Sequence, residues 1–167
     1  MRPSNPRLHR RSSPVSSLFH SLACNKYHAP MAICIFCQIV EGVEPAHSVW
    51  ESEDFLAFLT TRPCNPGHTL LIPKVHVDYV FDLDEPLYSR LFRAAKQLSE
   101  PVRLATDARR IGVAIEGLSV PHVHLHLVPL YDVDELDPHR HVEQTQRQRG
   151  VMAERIRRRL PSTGIVV

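Results

Sequence analysis

The strongest constraint in this sequence is a nine-residue segment in which histidines alternate with apolar residues. Residues 121–129 read Pro-His-Val-His-Leu-His-Leu-Val-Pro. Because successive side chains of a β-strand point to opposite faces, this pattern predicts a strand with His122, His124 and His126 on one face. The intervening valine and leucines then lie on the other face, where they can pack into a core. The segment therefore predicts a sheet with a hydrophobic core behind it and a row of imidazoles on its outer face.

Other segments supply the elements that such a sheet needs. Apolar residues spaced three to four apart from Leu87 to Leu98, after an Asp-Glu-Pro entrance, predict one main helix. Pro101 is expected to kink or end that helix. The remaining predicted elements are strands at 49–50, 55–59, 69–72 and 111–115, with a weak amphipathic helix within 144–160.

Composition and charge exclude several classes of protein. The 167 residues are 43% apolar and 23% charged, as in an ordinary globular domain. The net charge of +2 gives no reason to expect a nucleic-acid partner, and no apolar run approaches the length of a membrane span. A cytoplasmic globular protein is the expected class.

The N-terminus differs from the rest of the chain. Five cationic residues precede the first acidic residue, Glu41, and residues 1–30 are rich in proline and serine. We expect this leader to be disordered. It is either an organelle transit peptide, which would change the predicted location, or a segment upstream of a start at Met31. The chain then divides into the leader, a domain at 31–140 and a basic, weakly helical extension at 141–167.

The residues alone leave the chemistry open. Cys34 and Cys37 form a C-x-x-C pair, which is typical of a thiol redox motif or of half a metal site. Three imidazoles on one face can ligate a metal, act as nucleophile or acid and base, or hold an anion. Spacing does not choose among these functions.

Four segments together resemble one known family. Residues 122–128 resemble the active-site signature of the histidine triad (HIT) family, in which three histidines alternate with apolar residues. Residues 34–39, 55–59 and 66–76 resemble its opening Cys-x-Phe-Cys segment, its second strand and its middle stretch, in the family's order. The resemblance implies an α+β fold with about five antiparallel strands, one main helix and a C-terminal helix, assembled as a homodimer. It also implies a nucleoside phosphoramidase or dinucleoside polyphosphate hydrolase.

The resemblance also assigns roles to individual residues. His124 matches the nucleophile that attacks the α-phosphorus and forms a nucleotidyl-histidine intermediate. His126 matches the residue that binds a phosphate oxygen and stabilises the transition state. Ser119 matches a serine that donates to a phosphate oxygen or to the leaving group, and His68 lies near the phosphate pocket.

A structural zinc is the cofactor that the resemblance implies, and no organic cofactor is expected. Its ligands would be Cys34, Cys37, His76 and His122, which suit a closed tetrahedral site. The alternative is that the two cysteines are free thiols.

The nucleoside pocket is implied by fewer features. Apolar positions that sandwich the base in relatives are matched by Ile35, Phe36, Ile39 and Phe58, although apolar residues at such positions also serve as core. Thr60 stands where many members have an acidic residue that binds the ribose hydroxyls, so ribose binding is expected to be weaker.

Three functions remain to be compared. The first is a nucleotidyl hydrolase or transferase that works through His124. The second is a nucleotide-binding module with vestigial activity, suggested by Thr60 and by the absence of an asparagine that usually precedes the histidine strand. The third is a zinc-dependent hydrolase in which the histidine row holds a catalytic metal.

Overall fold

The computed structural model describes residues 34–137 and 139–162. The elements are α1 (Ile35–Val40), β1 (His47–Glu51), β2 (Phe55–Leu59), β3 (Thr69–Pro73), a 3-10 turn (Val80–Asp82), α2 (Leu87–Thr106), β4 (Arg110–Ile115), β5 (Leu125–Leu130) and α3 (Gln146–Arg157). They form the predicted α+β fold. The predicted leader lies outside the described residues.

The five strands form one antiparallel sheet in the order β1-β2-β3-β5-β4. Strand β5 therefore lies between β3 and β4, and its histidine His126 pairs with Leu70 on one side and Ala114 on the other. The histidine segment enters the sheet between two neighbouring strands, which fixes the backbone on both sides of it.

One face of the sheet packs against α2. The apolar residues of the histidine segment, Val123, Leu125 and Leu127, are at most 1% exposed and belong to this core together with Leu91 and Leu98 of the helix. Burying each such side chain contributes about 1.5–3 kcal/mol. The predicted apolar face of the segment is confirmed.

Helix α2 extends further than its pattern suggested. Of the two outcomes expected at Pro101, a kink or an end, the end is wrong, because the helix continues to Thr106. Val102 and Ala105 beyond the proline are almost fully buried, and their burial offsets the hydrogen bond that proline cannot donate. The helix ends at Asp107, which adopts the left-handed conformation with φ 57°.

The predicted C-terminal helix is present as α3. It begins with a capping box between Thr145 and Gln148, and it places Ala153 and Ile156 in the main core. Arg157 donates from Nη1 to the carbonyl oxygen of Ser48 in β1. Helix α3 thus covers the β1 end of the sheet.

The β4 end of the sheet has a different character. No described element pairs with the outer edge of β4, and Val113 and Ile115 are 48% and 37% exposed. None of the helices within residues 34–162 that the structure describes is long and apolar enough to cross a membrane.

The second face of the sheet carries the short helix α1. Phe36 and Cys37 of this helix pack against Phe58 and Ile72 in a separate buried cluster. This smaller core lies on the side of the sheet to which the histidines point.

Candidate functional site

The histidine row lies where the chain enters β5. The strand begins at Leu125, so His122 and His124 precede it, and the predicted strand at 121–129 is wrong in its first residues. The alternation of faces is retained, because Phe36 on the second face contacts both rings. His122 and His124 are 0% and 3% exposed, so the expectation of an outward-facing row is wrong for them. Helix α1 covers the row, which the strand pattern alone does not show.

The first histidine belongs to a cluster with residues that are distant in sequence. One ligand atom from each of Cys34, Cys37, His76 and His122 lies within 4.8 Å of the others, and all four residues are buried. The Nδ1 atom of His122 lies 3.4 Å and 3.6 Å from the sulfurs of Cys34 and Cys37, and Nδ1 of His76 lies 3.3 Å from that of Cys37. The structure thus brings together the four residues that the sequence assigned to a metal site.

The tautomer of His122 follows from its hydrogen-bond partner. Its Nε2 atom is 2.9 Å from the carbonyl oxygen of Pro73, which can only accept, so Nε2 carries the hydrogen. The lone pair of the neutral ring is then on Nδ1, which faces the two sulfurs. Burial lowers the pKa of His122 to about 4, so the ring is neutral and available as a ligand near pH 7.

The donor set fits a zinc ion. Two sulfurs and two imidazole nitrogens are a common ligand set for tetrahedral structural zinc. Burial, with a smaller contribution from Cys34, raises the pKa of the Cys37 thiol to about 12. A bound divalent cation would reverse this effect, since a coordinating thiol loses its proton.

The middle histidine is oriented by the backbone of the first. Nδ1 of His124 is 2.6 Å from the carbonyl oxygen of His122, so Nδ1 is the donor. In its neutral form the ring then carries its lone pair on Nε2. An imidazole held in this way presents a nucleophilic or basic nitrogen at its far edge.

The last histidine is oriented by a loop histidine. The backbone N–H of Cys64 donates to Nδ1 of His68 at 3.1 Å, so the hydrogen of the neutral His68 ring is on Nε2. That Nε2–H donates to Nδ1 of His126 at 2.9 Å, and the hydrogen of the neutral His126 ring is therefore on its own Nε2. His126 thus presents a donor, whereas His124 presents an acceptor.

Burial keeps both of these rings neutral. It lowers the pKa of His68 to about 3 and that of His126 to about 4, with smaller contributions from the neighbouring histidines. Gly67, with φ +88°, places His68 at this point, and a side chain there would collide with Thr106.

The residues assigned to base binding divide into two groups. Phe36 and Phe58 are 7% and 3% exposed, with their rings edge-to-face at 5.7 Å. Phe36 is also edge-to-face with His124 at 5.1 Å. Ile35 is 40% exposed and Ile39 is half-buried, so these two offer apolar surface beside the buried pair.

Thr60 and Ser119 lie outside the histidine row. The backbone N–H of Thr60 donates to the carbonyl oxygen of His68, and its Oγ1 accepts from the backbone N–H of Arg62, both at 3.2 Å. This threonine is therefore next to His68 through the backbone. Ser119 is exposed in the loop that connects β4 to the histidine segment.

Three contributions were not found by sequence reasoning. The carbonyl of Pro73 and the N–H of Cys64 orient two of the histidines, but backbone groups leave no signature in residue type. The loop with two prolines around Cys64 is the only indication, because it predicts a tight return to His68. The contact between Phe36 and His124 has a weak signal, since Phe36 lies between the two cysteines of the cluster.

Known proteins are similar to this chain in sequence. The sequence model of the HIT domain matches residues 41–133. An uncharacterized HIT-like protein of Methanocaldococcus jannaschii is 36% identical over 61% of this chain and 82% of its own length. An adenosine 5'-monophosphoramidase of Saccharomyces cerevisiae is 33% identical over 66% of this chain and 73% of its own length.

Solved structures show the same fold. The Zn-bound histidine triad family protein of Mycobacterium smegmatis superimposes with a TM-score of 0.66 and 30% identity, covering 77% of this chain and 94% of its own. The histidine row, the fold and these matches agree, and the chain belongs to the HIT domain family.

Proposed function

We propose that this protein is a nucleotidyl hydrolase or transferase that acts on an α-phosphate through a covalent nucleotidyl intermediate on His124. The observation that carries the proposal is the hydrogen bond from Nδ1 of His124 to the carbonyl of His122, which leaves Nε2 as the free nitrogen. The yeast relative, an adenosine 5'-monophosphoramidase, supports the reaction class.

The reaction requires two displacements at phosphorus. In the first, Nε2 of His124 attacks the α-phosphorus, the bond from phosphorus to the leaving group breaks, and the leaving group departs with a proton taken from solvent. In the second, water attacks the same phosphorus and returns a proton to solvent, the bond to Nε2 breaks, and a nucleoside monophosphate is released with the imidazole restored. Splitting one difficult displacement into two lowers each barrier.

His126 and His68 stabilise the negative charge that develops on the phosphate. The Nε2–H of His126 donates to a non-bridging phosphate oxygen, and His68 holds His126 in the tautomer that has this donor. In the proposal, Ser119 donates to a phosphate oxygen or to the leaving group. Substrates of this chemistry are nucleoside phosphoramidates, adenylylated amines and dinucleoside polyphosphates, which share an α-phosphate with a displaceable nitrogen or oxygen substituent.

The nucleoside is proposed to bind beside helix α1. The half-buried Ile39 and the exposed Ile35 offer apolar surface to a base, backed by the buried Phe36 and Phe58. Thr60 lies next to the loop that carries His68. The family resemblance supports its assignment to the ribose position. Its Oγ1 already accepts a backbone hydrogen bond, so ribose receives less from it than from a carboxylate.

The proposed structural metal is zinc, held by Cys34, Cys37, His76 and His122. When bound, it links helix α1 to the start of the histidine segment, and it takes no part in the displacement. The buried ligand cluster and the Zn-bound relative of Mycobacterium smegmatis support this assignment. A catalytic metal in the histidine row is less well supported, because His122 already belongs to the buried four-residue cluster with Cys34, Cys37 and His76.

A homodimer is proposed at the β4 edge of the sheet. An exposed, apolar strand edge is suited to pairing with a second copy of itself. Light scattering of the chain and of the double variant Val113→Lys, Ile115→Lys tests this. A dimer is expected for the first and a monomer for the second, whereas a wild-type monomer would refute it.

The covalent intermediate is tested by intact-protein mass spectrometry after a brief, acid-free quench with adenosine 5'-phosphoramidate. Wild type is expected to gain one adenylyl group and to release AMP, and His124→Ala is expected to do neither. His139→Ala is the matched control, because the side chain of His139 is 93% exposed and lies outside the cluster.

The result also separates the alternative functions. AMP binding without adduct or AMP release would favour a nucleotide-binding module, for which the ribose position of Thr60 is the supporting feature. Turnover that persists in His124→Ala but stops on chelation would favour a zinc-dependent hydrolase.

A further inference from the structure

We infer that the Cys34–Cys37–His76–His122 cluster positions the nucleophile, so that metal binding there sets the orientation and tautomer of His124. In this view the metal controls the active site through the chain's own residues. The inference rests on the proposed role of His124 and deepens it, because it names a control of that same site.

The first connection runs through His122. Its ring lies against the sulfurs of Cys34 and Cys37, while its own carbonyl oxygen accepts the hydrogen bond from Nδ1 of His124. A single residue therefore joins the ligand cluster to the nucleophile. A change in the position of the His122 ring moves the peptide that determines which nitrogen of His124 carries the hydrogen.

The second connection runs through Phe36. This residue lies between the two cysteines in α1, and its ring is edge-to-face with His122 at 5.8 Å and with His124 at 5.1 Å. Helix α1 has only six residues, and no side chain caps its first turn. Such a short helix depends on tertiary contacts for its position. The cluster fixes Cys34, just before this helix, and Cys37 within it, and thereby the wall behind His124.

The last histidine of the row has no such dependence. His126 is held by His68, and His68 is held by the backbone N–H of Cys64. None of these three residues belongs to the ligand cluster. The His126 ring is also 4.9 Å from that of His124, so its signals can respond to a movement of His124. The tautomers of His68 and His126 are set outside the ligand cluster, and they are the internal reference that metal binding is expected to leave unchanged.

The experiment uses full-length chain labelled with ¹⁵N-histidine and long-range ¹H–¹⁵N spectra, which report the tautomer of each ring. Spectra are recorded with zinc bound, after chelation, and after zinc is returned. We expect His124 to show a single Nδ1–H tautomer with zinc and a mixture without it, while His68 and His126 keep their Nε2–H tautomers. The adenylylation rate is expected to fall by about tenfold or more on chelation.

A pair of variants separates positioning from stability. Phe36→Leu retains the zinc ligands but removes the ring behind His124, and it is expected to move the His124 signals in zinc-loaded protein. Phe92→Leu makes the same change at a site that is 37% exposed on α2 and should move nothing. If chelation unfolds the chain, all histidine signals move and the zinc comparison is lost. The two variants, compared in zinc-loaded protein, then test whether the α1 contact positions His124.

Several results would overturn the inference. They are the absence of zinc binding, His124 signals that are the same with and without zinc in a folded chain, and His124 signals unaffected by Phe36→Leu. A zinc-dependent His124 tautomer without adenylyl transfer would instead contradict the proposed function and leave the inference standing. Adenylyl transfer with a zinc-independent tautomer would do the reverse.

Discussion

His122 and His126 stand at the two ends of one histidine row, yet different kinds of group hold their rings. His122 donates to a backbone carbonyl and directs its lone pair at two sulfurs in a closed, buried cluster. His126 accepts from another histidine and keeps its second nitrogen as a donor. The first arrangement suits a metal ligand, and the second suits a group that contacts a phosphate oxygen.

The difference shows how one repeated residue acquires different functions. Along the row, the ring hydrogen of the neutral form lies on Nε2 in His122, on Nδ1 in His124 and again on Nε2 in His126. Each position is determined by a neighbour that can only accept or only donate at that atom. The partners of the rings assign the roles, and the alternating sequence assigns only the face.

The largest expected effect comes from His124, which lies between the two ends. His124→Ala should reduce AMP release from adenosine 5'-phosphoramidate by about a thousandfold or more, because the covalent route is lost. The zinc content should stay the same, since His124 is not in the cluster. Steady-state kinetics and metal analysis of the purified variant measure both.

His139→Ala serves as the reference and should match wild type in both measurements. Substantial residual turnover in His124→Ala, within tenfold of the reference, would contradict the assignment of the nucleophile.

A second prediction tests the His122 end of the row, where the buried ligand cluster lies. Zinc should raise the free energy of unfolding of wild type by about 2.7 kcal/mol when free zinc is 100 times its dissociation constant. Cys37→Ser should abolish this gain, because the cluster loses a ligand. Urea unfolding with and without zinc measures the difference.

Cys64→Ser is the matched control for that prediction. Cys64 is also buried but lies outside the ligand cluster, so this variant should keep the zinc-dependent gain. Equal gains in the two variants would place the metal elsewhere.

A third prediction concerns pH at the His126 end of the row, where phosphate binding is proposed. The pKa of His68 is about 3 in the folded chain and 6.5 in the unfolded chain. The unfolded chain therefore binds more protons than the folded chain below pH 6.5. Stability therefore falls as pH decreases from 6.5, and His68 alone should account for about 2 kcal/mol at about pH 5. The loss ends near the folded pKa.

The test compares free energies of unfolding in urea for wild type and His68→Asn across this pH range. The variant should lose less stability on acidification, although His122 and His126 retain losses of the same sign. Parallel curves for the two proteins would show that His68 is not held neutral by the fold.

Sequence patterns predicted the elements that carry the histidine row, but not the burial of its rings or their tautomers. The strands, the main helix and the apolar side of the histidine segment followed from periodicity, because burial repeats with the geometry of each element. The burial of His122 and His124 did not follow, since it depends on a six-residue helix that packs across the row from a distant part of the chain. The ring tautomers did not follow either, because they depend on backbone groups of Pro73, His122 and Cys64.

The smallest predicted effect concerns ribose recognition, in which the two ends of the row differ again. The His122 end has four buried residues that could hold a metal ion. In the proposed function, Thr60 near the His126 end stands where a carboxylate would hold both ribose hydroxyls. Thr60→Asp should tighten AMP binding by about fivefold, or about 1 kcal/mol, through charge-assisted hydrogen bonds. An aspartate can also accept from the N–H of Arg62 as Thr60 does, so the local turn is retained.

Thr60→Asn is the control, because an amide of the same shape lacks the charge. Calorimetry with AMP and with 2'-deoxy-AMP measures the gain, which should be larger for the ligand with both hydroxyls. Equal affinities of the Asp and Asn variants for AMP would mean that position 60 does not contact ribose, and the His126 end would then recognise its ligand through phosphate and base alone.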